Sequence, residues 1–154
     1  MTPLHLAANF KSSVAVVNAL IEAGADIDAL DSVHRSPLHY ASIVEFKSST
    51  TVVSTLVQAG ANLDALDSAQ NSPLHLASCW NKAVVPVLIG AGCKVNLLNP
   101  IQVSPLFCAA WVSKDRSAVA ALMAAGADPH LGNSPLTSKF VSDEMKDYIR
   151  SLSN

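Results

Sequence analysis

The chain is poor in aromatic side chains and in charge. Only 5% of its 154 residues are Phe, Trp or Tyr, and only 14% are charged, against about 25% in an average domain. A net charge of −2 supplies no field to attract a polyanion, so neither nucleic acid nor an acidic membrane surface is an expected partner. Long apolar runs are also missing. None approaches the roughly 18 residues needed to cross a bilayer, so direct membrane insertion is not expected. The opening "MTPLHLAANFK" has no basic stretch ahead of its apolar residues and does not read as a signal peptide. Cys79, Cys93 and Cys108 are odd in number and form no CxxC pair. They fit a reducing, intracellular setting, cytoplasmic or nuclear, better than a disulfide framework. No Gly-rich phosphate loop, GxSxG elbow or HExxH motif occurs, so no catalytic centre, cofactor or metal is expected.

What the chain has is repetition. "TPLHLAA" at Thr2 returns as "SPLHYAS" at Ser36, "SPLHLAS" at Ser72, "SPLFCAA" at Ser104 and "SPLT" at Ser134, with spacings of 34, 36, 32 and 30. A second signature lies between them: "EAGADIDALD" from Glu22, "QAGANLDALD" from Gln58, "GAGCKVNLLN" from Gly90 and "AAGADPH" from Ala124. Ser or Thr before Pro is a helix N-cap with proline at the first helical position. Leu4, Ala7 and Ala8 follow at helical spacing, and their small side chains admit a close neighbour. Val14, Val17, Leu20 and Ile21 mark a second helix, which Gly24 ends. Asp26, Asp28 and Asp31 then favour a loop. Two short helices cannot bury their apolar faces alone, so the units must stack.

This pattern, with a period near 33 residues, resembles the ankyrin repeat. The resemblance covers nearly the whole chain: units at about 2–35, 36–71, 72–103 and 104–133, and a C-terminal cap at 134–154. It implies an all-α solenoid, a single domain of stacked helix-turn-helix units with short finger loops or hairpins beside a concave groove. The function it implies is a non-catalytic, monomeric module that binds a protein or peptide through that groove. Two other roles share the fold: a stand-alone inhibitor resembling the ankyrin proteins that block cyclin-dependent kinases, and the targeting arm of a larger ligase, channel or scaffold.

Several features depart from the family pattern. The turn between helices is longest in the second unit, Val44 to Thr51. The glycine usual at the fingertip is replaced by His34, Gln70 and Gln102. Either these tips adopt another turn or they accept a strained positive φ. Pro86 falls within the second helix of unit three, which is therefore expected to begin near Val84 so that the proline sits in the first turn. At the C-terminus, Met145, Ile149 and Leu152 form one stripe of a capping helix. The first unit opens directly on a helix with no finger ahead of it, so the chain is expected to be part of a longer array.

His75 and Cys79 stand four apart, as a nucleophile–base pair or half a zinc site would. Yet the histidine recurs as His5 and His39 without the cysteine. A structural role near the N-cap and the neighbouring finger is expected. Cys93 and Cys108 are expected to be inert core thiols. Positions after the "AA" of each unit, and those in the fingers, are the groove candidates that the resemblance implies: Phe10, Val33, Arg35, Ile43, Val44, Asn71, Trp80, Ile101, Val103 and Trp111. Phe10, Ile43, Trp80, Ile101, Val103 and Trp111 would make an apolar strip that no single unit could form, of the kind that marks interaction sites. The alternative is that the altered turns fold over these residues and bury them.

Overall fold

The computed structural model describes residues 1–9, 14–44 and 49–153; Phe10 lies outside them. Among the described residues there are nine α-helices and no strand: α1 (Pro3–Asn9), α2 (Val14–Glu22), α3 (Pro37–Ile43), α4 (Ser49–Gln58), α5 (Pro73–Trp80), α6 (Val85–Gly90), α7 (Pro105–Cys108), α8 (Arg116–Ala124) and α9 (Asp143–Leu152). They form four helix pairs and a closing helix. First helices stack on first helices, α1 on α3, α3 on α5 and α5 on α7. Second helices do likewise from α2 to α8, and α9 covers α8.

The repeated sequence makes a repeated core. Leu4, Leu38, Leu74 and Leu106 occupy the same turn of successive first helices, and all are buried. Val17, Val53, Val85 and Val119 do the same in the second helices. Each such leucine contributes about 1.5–3 kcal/mol through apolar burial. The second helices end alike. Gly24, Gly60, Gly92 and Gly126 have φ of +83°, +93°, +90° and +85°. The next amide returns to a carbonyl five residues back, as in Ala25 to Leu20 and Cys93 to Leu88. This is a Schellman stop, which a Cβ would strain. Helix α6 begins at Val85, so Pro86 lies in the first turn, where a missing amide costs little.

The recurring histidine is a tie between units. His39 Nδ1 accepts from the Ser36 amide at 3.1 Å, and its Nε2 donates to the Asn71 carbonyl at 3.1 Å. His75 makes the same pair with the Ser72 amide and the Val103 carbonyl, 3.1 Å each. His5 bonds the Thr2 amide at 3.0 Å and the Arg35 carbonyl at 2.8 Å. An amide can only donate and a carbonyl can only accept, so the partners select the neutral ring with its proton on Nε2. The ring fills the place of Glu or Gln in a capping box and also reaches the following finger. This, and not chemistry with Cys79, accounts for His75.

The fingertips accept the left-handed conformation. His34, Gln70 and Gln102 have φ of 56°, 59° and 60°. The base of each finger explains how. Asp31 Oδ1 accepts from the amides of Val33 and Arg35, both at 2.9 Å, while the Asp31 amide donates to the Arg35 carbonyl at 3.0 Å. Asp67 repeats this arrangement with Ala69 and Asn71. Asn99 Oδ1 accepts from the Val103 amide. These bonds over-determine the turn and offset a strain of about 1–2 kcal/mol at each tip. The recurring acids are therefore finger-builders. Burial works against ionisation of Asp31, but the Tyr40 hydroxyl and the two finger amides outweigh it and hold the carboxyl at about 2. In the capping helix Met145 and Ile149 are buried as expected, whereas Leu152, in the last turn, is exposed.

Stability should fall in mild acid. Burial, outweighing the pull of the Asn71 and Val103 carbonyls, holds the His39 and His75 rings below the ordinary 6.5. Below about pH 6.5 the unfolded chain therefore binds more protons than the folded one. The stabilisation is complete above that pH and is lost as pH falls, at up to about 1.4 kcal/mol per pH unit for each ring. Thermal unfolding from about pH 7.5 to about pH 5 should show this decline. His75→Gln should make it shallower; an unchanged slope would count against the tie as its origin.

Candidate functional site

The fourth unit breaks the tie. Phe107 stands where the other units place histidine; its amide still donates to the Ser104 hydroxyl at 3.2 Å, but its ring makes no finger bond. The finger behind it is shorter, with Gly126 and Ser134 only 8 apart instead of 12. A cleft of about 500 Å³ opens there, between Ile101 and Val103 of finger three, Phe107, Trp111, and the segment from Gly132 to Phe140.

The backbone turns Trp111 towards this cleft. After α7 the chain widens into one π-helical turn, Ala109–Ser113, that ends at Lys114 with φ 53°. Such turns are rare and frequently mark functional sites. They shift every following side chain around the helix. Trp111 is 39% exposed. Its ring lies 5.4 Å from Phe107 and 5.3 Å from Phe140, tilted by 53° and 36°. Two aromatic pairs of this kind contribute about 0.5–1.5 kcal/mol each beyond area burial. Ile101 and Phe140 are both well exposed at the rim, and Lys139 Nζ lies 5.3 Å from the Phe140 ring centre. Asn133 fastens the far wall, its amide donating to the Gln102 carbonyl at 2.6 Å and its Nδ2 to the Ile101 carbonyl at 2.7 Å. Gly132 allows this approach, since a Cβ there would meet the Gln102 backbone oxygen.

The other expected groove residues divide. Val33 is exposed at its fingertip. Arg35 is engaged: its Nε donates to Asp67 Oδ2 at 3.3 Å, and the Asp67 side chain is only 3% exposed. Asn71 Oδ1 accepts from Asn99 Nδ2 at 2.9 Å. Both residues bind finger to finger and remain half-buried. Ile43 and Val44 are half-buried, and the Val44 carbonyl accepts from Asn81 Nδ2 at 2.6 Å. Val103 does not belong on an exposed strip. It is 8% exposed and forms the cleft floor, because both its amide and its carbonyl are committed to Asn99 and His75.

Trp80 is exposed but lines a different cleft, of about 280 Å³, with Cys79, Val112, Ser113 and the Lys82–Asp115 ion pair at 3.0 Å. Trp80 and Trp111, expected on a single strip, therefore line two separate clefts, with Trp111 in the larger. Phe140 was missing from the expected set. It lies outside both repeated signatures; the available signal was a large aromatic residue in a chain with only four phenylalanines.

The cysteines are packing residues. Cys79 is half-buried and Cys93 and Cys108 are buried, all three unpaired. Burial and the nearby Asp64 carboxylate push the Cys93 thiol up to about 11. The hydrogen bond to Cys79, together with burial, pushes Cys108 up as well. No group of three or more His, Cys, Asp or Glu side chains that could hold a metal occurs among the described residues. No helix among them is long and apolar enough to cross a membrane.

Stacked helix pairs joined by fingers, with an aromatic cleft at one end, define a repeat solenoid of the kind that presents surfaces to other proteins. The family model for ankyrin repeats, in three copies, matches residues 4–99. The chain belongs to the ankyrin repeat family. Its members are generally protein–protein interaction modules and typically non-catalytic. The fourth unit lies beyond the matched segment and carries the same helix pair. A comparison with curated proteins gave no match.

Two measurements test this local architecture. Gly132→Ala should lower stability by about 1–3 kcal/mol in urea unfolding and detach the far wall of the cleft. Iodoacetamide at about pH 8 should leave Cys93 and Cys108 unlabelled in the native protein and label them on unfolding; rapid native labelling of Cys93 would contradict its burial.

Proposed function

We propose that this ankyrin-repeat domain binds a protein or peptide partner and that the cleft around Trp111 is the anchor point of the concave surface. The observation that carries this reading is the gathering of Ile101, Trp111 and Phe140, all exposed, around one concave space in a chain with so few aromatic residues. Buried water-excluding pockets that receive one large side chain are where binding energy concentrates. The lining supports an apolar or aromatic anchor from the partner, with Ser138, Asn133 and Lys139 at hand for its backbone and polar groups. Recognition is by shape and apolar contact more than by steering, as the low net charge accords with. The three unpaired thiols accord with a reducing, intracellular compartment. An inhibitor and a targeting arm would both use this surface; no residue in the cleft singles out a kinase.

A phage-displayed random peptide library provides the test. Peptides selected on the wild-type domain should share an apolar or aromatic anchor. They should lose about tenfold or more in affinity for Ile101→Asp and Phe140→Ala, which leave the core intact. Selected peptides that bind these variants as well as wild type would place the binding surface elsewhere.

A further inference from the structure

Two thiols meet across the junction between units three and four. Cys79 lies in the last turn of α5, and Cys108 closes α7. These two first helices stack on each other. The Cys108 thiol donates a hydrogen bond to the Cys79 sulfur. The smaller cleft gives the same placement independently. Cys79 shares its wall with Val112 and Ser113, four and five residues after Cys108 and so on the Cys108 side of the widened turn. The pairing is not part of the repeat. At the two earlier junctions the equivalent positions hold Asn9 with Tyr40 and Ile43 with Leu76.

The two thiols are unequal. Cys79 is half-buried on the wall of an open hollow of about 280 Å³, whereas Cys108 is 5% exposed. A small solute therefore meets Cys79 first. The hydrogen bond from Cys108 outweighs burial and draws the Cys79 thiol below its ordinary range, which favours the reactive thiolate. The same bond, with burial, makes Cys108 the harder thiol to ionise. An accessible thiol of this kind beside a second one is the arrangement in which oxidation runs on to a disulfide. Cys93 offers the contrast: it is buried and lies beside the Asp64 carboxylate, which opposes its ionisation.

We infer that Cys79 and Cys108 are a peroxide-sensitive pair, Cys79 the thiol attacked and Cys108 the thiol that resolves it, closing a reversible disulfide between units three and four. The Cys79 thiolate attacks one oxygen of hydrogen peroxide. The O–O bond breaks, the departing hydroxide takes a proton to become water, and Cys79 is left as the sulfenic acid. The Cys108 sulfur then attacks the Cys79 sulfur. The S–O bond breaks, and the displaced oxygen leaves as water with the Cys108 proton. Two thiols are oxidised by two electrons in all, and one peroxide is reduced to two waters. A thiol reductant reverses the bond. In the reduced protein both side chains simply pack, so the pair suits a reducing setting that is intermittently oxidised. The pair is separate from the cleft around Trp111, and neither reading depends on the other.

Peptide mapping after peroxide tests the inference. Trypsin separates the three cysteines into the peptides 48–82, 83–94 and 95–114. Reduced protein treated with hydrogen peroxide near neutral pH should yield 48–82 joined to 95–114, lighter by two hydrogens, with 83–94 still a free thiol. Urea unfolding of the oxidised protein should show a midpoint higher by about 1 M, which dithiothreitol abolishes, because the bond closes a loop in the unfolded chain. In Cys108→Ala, dimedone should capture a sulfenic acid on 48–82 that the wild type does not accumulate. Cys93→Ala should leave the linkage and the shift in midpoint intact. A link to 83–94, a disulfide between two copies of the chain, oxidation of Cys79 to the sulfinic acid with Cys108 still free, or equal midpoints before and after oxidation would overturn the inference.

Discussion

A neutral imidazole bonded through both nitrogens joins each of the first three units to the finger that follows it. The Nδ1 lone pair satisfies an amide at the start of the first helix, and the Nε2 proton satisfies a carbonyl at the end of the finger. The Ser36 and Ser72 amides are buried, so leaving either unmatched would cost about 1–3 kcal/mol. The bond therefore sets the distance between helix and finger and keeps it nearly constant along the stack. The accepting carbonyls are those of Arg35, Asn71 and Val103, so the backbone of these residues serves the architecture.

The cleft proposed as the binding surface lies where this tie is absent. Phe107 cannot bond a carbonyl, and the finger that would have supplied one is clipped. Gly132 and Asn133 instead lean back onto finger three, and the space left over is walled by Trp111 and Phe140. The π-helical turn completes the arrangement by rotating Trp111 inwards. One substitution, one shortened loop and one widened turn thus convert a repeating scaffold into a place with a single identity.

Much of this was legible in the residues. The period, the N-cap Ser-Pro, the terminating glycines and the recurrence of His5, His39 and His75 each state a local rule that the structure obeys. Pro86 could be placed in a first turn for the same reason: its missing amide is tolerated nowhere else in a helix. Two things were not legible. The tips at His34, Gln70 and Gln102 were ambiguous because a positive φ depends on the Asp31, Asp67 and Asn99 side chains that brace it. The strip through Trp80 and Trp111 assumed one helical register, and the π-helical turn changed that register between the two residues.

By itself the sequence determined the unit: its two helices, its stops, its buried leucines and valines, and the need to stack, since each of these follows from contacts within about 33 neighbouring residues. Tertiary structure alone decided which side chains remain free. Val103 is sealed by bonds to Asn99 and His75, Arg35 is held by Asp67, and Phe140 is brought to Trp111 from 29 positions away in the chain. Exposure is a property of what packs alongside. For Trp111 that neighbour is Phe140, from another part of the fold.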